Sequence, residues 1–178
     1  MLESDIKAKV AGSLEKLLKE KNFSTITVQE ILDLSGVSKS TFYRYFKDKY
    51  AIVEYVCTGN MMFFESYVPG NISSLQKMHR NMMEYIYSKR ELYSEIVKIE
   101  GQNSFVEVWS KAGVEIFMKI YKKKYKIIPE ELIKMTEFYS GGMAVLLQNW
   151  AVQGFRESPE YMSKITYACI PEVIKKYL

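Results

Sequence analysis

The chain has 178 residues, of which 48% are hydrophobic and 26% charged, and its formal net charge is +4. Those fractions suit a soluble globular protein, exclude intrinsic disorder, and allow one generous domain or two small ones. Cys57 and Cys169 lie far apart and form no CxxC pair. Neither a disulfide framework nor a zinc module is therefore expected, and a reducing cytoplasm is the default compartment. The first residues are charged from position 3 onward, unlike a signal peptide, which needs an apolar run. His79 is the single histidine and reads as a structural one; the aspartates are Asp5, Asp33 and Asp48 alone. No Glu-x-x-His, HExxH, GxSxG, Walker A or GxGxxG pattern occurs, so no catalytic residue, metal or cofactor is expected.

Helical periodicity dominates from the start. Ile6, Val10, Leu14, Leu17 and Leu18 recur on one helix face, with lysines and glutamates opposite. That helix should end near Lys21-Asn22. Thr27-Val28-Gln29-Glu30 is a Thr-x-x-Glu capping box, and it opens a short helix that turns Val28, Ile31 and Leu32 inward. Gly36 can take the left-handed conformation that stops this helix. Ser38 can cap a second short helix running to about Tyr45. Longer helices should follow: one to about Tyr67, broken at Pro69-Gly70-Asn71, then others near 73–88, 90–99 and 103–124. Pro129-Glu130-Glu131 and Ser158-Pro159-Glu160 are first-turn signatures for two more, and Pro171 should kink or restart the last. No hairpin signal or repeat interrupts this pattern, so the expected fold is all-α with about nine helices.

Residues 138–155 carry no charge. Ser140, Gln148, Asn149, Gln153 and three glycines would strand polar groups in a bilayer, so a helix buried against protein is expected there.

Two short helices joined by a tight glycine turn, with a third helix before them, have the layout of a helix-turn-helix DNA reader. The segment Thr27 to Lys49 closely resembles the N-terminal domain of TetR-family transcriptional regulators. The family pattern there is roughly T-x-x-x-I-A-x-x-A-G-V-S-x-x-x-x-Y-x-x-F-x-x-K. Leu32 and Ser35 replace its two alanines, and both are tolerable in a helix. The resemblance covers about residues 5–55, and a weaker one covers the stretch from Ser140-Gly141-Gly142 to Pro159. It implies a DNA-binding domain over 1–48 and a helical effector-binding and dimerisation domain over 49–178.

Val37, Phe42 and Phe46 should pack the small three-helix core. Ser38, Lys39, Ser40, Thr41, Tyr43 and Arg44 then leave hydroxyls and cations on the other side, as a helix entering a major groove requires. Gln29, Lys39, Ser40, Thr41 and Arg44 are candidates for base edges. The resemblance implies that Thr27, Tyr43, Tyr45 and Lys49 hold phosphates; Lys49→Ala would then flatten the salt dependence by about one unit.

A reader of this kind ordinarily pairs two half-sites through a two-fold dimer. The helix 138–155 and the helix from Pro159 could form a four-helix bundle across two chains, as family members generally do. Met143, Leu146, Leu147 and Trp150 are the expected interface, unless the same residues fill the monomer core. In the family, the middle helices hold a small-molecule pocket. Tyr85, Phe105, Trp109, Phe117, Tyr121 and Tyr139 are candidates to line one here, although core packing explains them equally well. The leading expectation is a cytoplasmic homodimeric repressor that releases double-stranded operator DNA on binding a small molecule, with no membrane partner. The alternatives are an activator, a regulator answering to a protein partner, and a helical binding protein or enzyme with a vestigial head.

Overall fold

The structure is a computed structural model that describes residues 2–61, 72–101 and 104–178. Ten α-helices and a single 3₁₀ turn, and no strand, occur among the described residues. Helix α1 (Glu3–Leu18) is followed by the 3₁₀ turn Phe23–Thr25, then α2 (Val28–Ser35), α3 (Lys39–Tyr45) and α4 (Lys49–Met61). The remainder comprises α5 (Ile72–Ser88), α6 (Arg90–Ile96), α7 (Phe105–Lys124), α8 (Glu130–Val152), α9 (Pro159–Ala168) and α10 (Glu172–Tyr177). The tenth helix arises because Pro171 does more than kink the last one. It stands as the N-cap of α10 in an extended conformation, with ψ 138°, and so separates that helix from α9. The expected end of α4 near Tyr67 and the break at 69–71 lie outside the described residues.

Local chemistry accounts for the first helices. Thr27 accepts from the Glu30 amide while the Glu30 carboxylate accepts from the Thr27 amide at 2.8 Å, completing the capping box. Gly36 ends α2 at φ 63°, where a Cβ would be strained. The Ser38 hydroxyl then accepts from the Thr41 amide and starts α3. Ile31, Phe42 and Phe46 are buried with Val10 and Leu14 of α1, and Val28 and Val37 pack at the edge of that cluster.

In the rest of the chain α7 lies along α8, α5 along α9, and α4 packs on both α1 and α7. Two ion pairs also tie α1 to the body: Lys89 to Glu15 at 2.9 Å and Lys19 to Glu91 at 3.0 Å. Helix α8 ends where Gly154 and Phe155 take consecutive left-handed conformations, φ 77° and 56°. The Phe155 amide donates back to the Trp150 carbonyl at 2.8 Å, and its ring meets the Trp150 indole edge-on at 4.9 Å.

This packing places the residues of the expected interface in the core of the single chain. Met143, Leu147 and Trp150 are buried within the single chain, and Leu146 is half-buried against the core. Trp150 stacks on Tyr87 and donates its indole N–H to the Glu157 carbonyl at 3.1 Å. The apolar side chains that α8 leaves uncovered are Phe138, Val145 and Val152, which are 83%, 46% and 68% exposed. Their seven-residue spacing sets them along one stripe of the helix, with exposed Gly142 and Asn149 between them. No helix among the described residues is long and apolar enough to cross a membrane.

Candidate functional site

Helix α3 presents one buried and one exposed side. Phe42 is fully buried, whereas Lys39, Ser40, Tyr43 and Arg44 are exposed, Tyr43 to 51%. Thr41 and Tyr45 are half-buried at the margin. The Phe42 ring meets Tyr43 edge-on at 5.2 Å, which anchors the base of an otherwise exposed phenol. The Arg44 guanidinium and the Lys7 ammonium lie 6.0 and 5.7 Å from the Tyr45 ring, so α1 adds a cation to this face. Ser38, Ser40 and Thr41 form one hydroxyl cluster, with Ser38 to Thr41 at 2.9 Å and Ser38 to Ser40 at 3.2 Å.

Thr27 and Gln29 open α2 and are both exposed. The Thr27 hydroxyl donates to Glu30 at 2.9 Å, and the Gln29 amide donates to Asp33 at 2.8 Å. Hydrogen bonds from Lys21 and from Thr27 hold the Glu30 carboxyl down to about 2. The negative charge of the capping box is thus present at any ordinary pH.

Lys49 is placed differently from the expectation of a phosphate-holding side chain. Its ammonium donates to the carbonyls of Phe23, Ser24 and Ile26 at 2.8, 3.1 and 2.7 Å and sits 4.7 Å from the Phe23 ring. An ammonium has three donors, and all three end on this 3₁₀ turn. Burial also lowers the Lys49 pKa from its ordinary value, with nearby Glu30 acting in the opposite direction. Asp48 turns its carboxylate to the Ala51 amide at 2.9 Å, capping α4. With Lys49 turned to the 3₁₀ turn, Lys39, Arg44 and Lys47 stand exposed around α3.

A second feature lies in the body, where α5, α7 and α8 enclose a cavity with about 580 Å³ of empty space including its mouth. Helix α5 contributes Leu75, Met78, His79 and Met82, and α7 contributes Trp109, Gly113, Ile116, Phe117 and Ile120. Tyr139, Ser140 and Met143 come from α8, and Leu178 closes one side. Of the expected lining residues, Trp109, Phe117 and Tyr139 stand on this wall. Phe105 and Tyr121 are buried elsewhere in the core, and Tyr85 is half-buried away from the wall. Phe105 packs edge-on to Tyr93 at 6.2 Å, and the Tyr121 hydroxyl meets Thr136 at 3.0 Å. Burial pushes the Tyr121 phenol up to about 12.

His79 is the polar centre of the cavity wall. A carbonyl only accepts, so Nδ1 carries the proton that goes to the Leu75 carbonyl at 2.9 Å. Nε2 is then an acceptor for the Tyr139 hydroxyl at 2.9 Å, with the Thr166 carbonyl 3.2 Å from the same phenol oxygen. Burial lowers the His79 pKa, against the opposing effect of the Leu75 hydrogen bond, and so favours the neutral imidazole that these two hydrogen bonds require. A sequence signal for these residues exists in retrospect. Leu75, Met78, His79 and Met82 follow i, i+3, i+4, i+7 spacing, which sets His79 within an apolar stripe.

Two family models match the chain. Residues 14–56 match the model described as bacterial regulatory proteins, tetR family, and residues 73–172 match the transcriptional regulator C-terminal region. No curated protein matches. Among solved structures, the chain is similar to the dihydroxyacetone kinase operon activator DhaS, with TM-score 0.63 and 14% identity over 96% of this chain and 97% of that one. It is also similar to a TetR transcriptional regulator from Streptococcus agalactiae, with TM-score 0.59 and 17% identity over 95% of each chain. The TetR family repressor AlkX from Dietzia sp., implicated in biodegradation of n-alkanes, superposes with TM-score 0.55 and 15% identity over 96% of this chain and 94% of that one. Likeness at these identities is likeness of fold.

Proposed function

The chain belongs to the TetR family of transcriptional regulators, whose members bind DNA, and from that premise we propose that it is a cytoplasmic homodimeric repressor that answers to a small molecule. Residues 1–48 would form its DNA-reading head and residues 49–178 its regulatory body. The observation that supports this most is the face of α3, where Lys39, Ser40, Tyr43 and Arg44 stand exposed over a core fixed by Phe42. Lys39 and Arg44 can donate to guanine O6 and N7 in the major groove, while Tyr43, Tyr45 and the N-terminal end of α2 at Thr27 suit flanking phosphates. Gln29 keeps its amide oxygen available beside them, and Ser38, Ser40 and Thr41 add hydroxyls at the entry of α3.

Two heads are needed for specificity, and the uncovered stripe Phe138, Val145 and Val152 supports pairing through α8. With α9 beside it, each chain would contribute two helices to a four-helix bundle. Tyr161 on α9 is likewise an exposed large side chain. The cavity supports the regulatory half of the reading. Helix α7 forms one wall of it and also packs on α4, which follows the head directly. A ligand that favours one placement of α7 would bias the placement of α4, and so the distance between paired heads. The same arrangement would serve an activator, because the sign of control depends on where the operator lies relative to the promoter.

The geometry divides the cations of the head into two classes, which a salt titration separates. Lys39→Ala should change preference among operator variants at one base pair, by about 1–3 kcal/mol. Lys49→Ala should lower the melting midpoint of the protein, because three carbonyls lose their donor, and leave the salt dependence of DNA binding nearly unchanged. Should Lys49→Ala instead flatten that dependence by about one unit at an unchanged midpoint, Lys49 holds a phosphate after all.

A further inference from the structure

From the cavity wall we infer the chemical class of the molecule it takes: a small uncharged compound, mostly apolar, with one hydrogen-bonding oxygen that meets Ser140. The inference rests on the reading of the cavity as an effector site. It starts from an exception among the buried hydroxyls. Ser13, Ser35, Thr136, Ser163 and Thr166 are all buried, and each folds its hydroxyl back onto a carbonyl of the preceding turn. Ser140 is equally buried, at 3% exposed, yet its Oγ has no hydrogen-bond partner among the described residues. A buried hydroxyl without a partner is disfavoured, and a ligand oxygen would relieve the deficit.

Space beside Ser140 is secured by a glycine. A Cβ built on Gly113 would come within 3.0 Å of the Ser140 oxygen, and both residues line the cavity. Any side chain at 113 would therefore crowd the hydroxyl. Two other polar side chains on the wall are already paired, His79 with Leu75 and Tyr139, and Tyr139 with His79. Among the described residues no Asp, Glu, Lys or Arg side chain lines the cavity, so an ionic ligand would find no side-chain counter-charge there. The empty space of about 580 Å³ includes the mouth of the cavity, which favours a compact molecule. Met78, Met82 and Met143 can adjust their rotamers around it.

Phenol, toluene and benzoate form a test set of nearly equal shape, differing in hydroxyl, methyl and carboxylate. Their affinities for the full chain at pH 7 are measured by calorimetry, for the wild type and for Ser140→Ala. Methyl spectra of Met78, Met82 and Met143 report whether each probe enters the cavity. The expected result is that phenol and toluene shift those methyls and benzoate does not. The ratio of phenol to toluene affinity should fall about fivefold in Ser140→Ala, the size of one hydrogen bond. The variant should melt no lower than wild type, since the lost hydroxyl had no partner. The inference is overturned if benzoate binds most tightly, if the ratio is the same in both proteins, or if no probe shifts the methyls. Release of operator DNA is scored separately. Ser140-dependent phenol binding without release would leave the ligand class standing and remove the regulatory role of the cavity.

Discussion

Phe138→Asp combined with Val145→Asp should convert a dimer into a monomer without unfolding it. Both side chains are exposed in the single chain, so the charges cost the monomer fold little. Across a two-fold interface the same stripe would face its copy, and four carboxylates would be desolvated together without partners. The consequence for DNA is large. Two heads held together bind their half-sites with a gain of roughly 10²–10⁴ over separate heads, so the variant should lose at least about a hundredfold in operator affinity. Light scattering and circular dichroism check the first part, and a DNA titration checks the second. A folded variant that remains dimeric would move the interface off α8. Leu147→Asp is the contrasting substitution. It places a charge on a residue that is 1% exposed and should unfold the body.

Phe42→Ala should have the largest effect on the head. Phe42 is fully buried, and its ring packs 5.7 Å from Phe46, which closes the same cluster. Truncating a buried phenylalanine costs about 3–5 kcal/mol through lost burial and the cavity left behind. That is a large fraction of the stability of a small domain. The exposed face of α3 is held mainly by this packing, so its side chains should lose their common orientation together. Hydrogen exchange should show protection lost over α2 and α3 and retained in α8, and operator binding should disappear. Unchanged protection of α3 would mean that the head is held by contacts other than Phe42. Tyr43→Ala, by contrast, removes a half-exposed ring and should weaken DNA binding while leaving protection intact.

The elements that sequence reasoning located well are those whose signals are local. Thr27 and Glu30 lie three residues apart, Gly36 needs only its own φ, and Ser38 caps the residues that follow it. Alternation of apolar and charged residues then phased the helices of the head, so Phe42 and Phe46 could be assigned inward. Helix α8 offers no such phase over residues 138–152, because no charged side marks its outer face. Met143, Leu147 and Trp150 are therefore as apolar in sequence as Phe138, Val145 and Val152, and only packing against α7 and the turn at Phe155 tells them apart. The surroundings of Lys49 were illegible for a different reason. Its three acceptors lie 23 to 26 residues away, and nothing near position 49 announces them. Ser140 is subtler still, since a missing hydrogen bond leaves no trace in composition or spacing.

Binding of the intact protein to the DNA upstream of its own coding region tests the account most directly. Fluorescence anisotropy with a labelled duplex, in the presence of excess random-sequence DNA, separates specific from general attraction. The expected result is saturable binding by two chains per site that resists the competitor and weakens steeply as salt rises. A folded dimer with no preference for this duplex over random DNA, even at about 50 mM salt, would contradict the proposal that the chain is a sequence-specific regulator of this DNA.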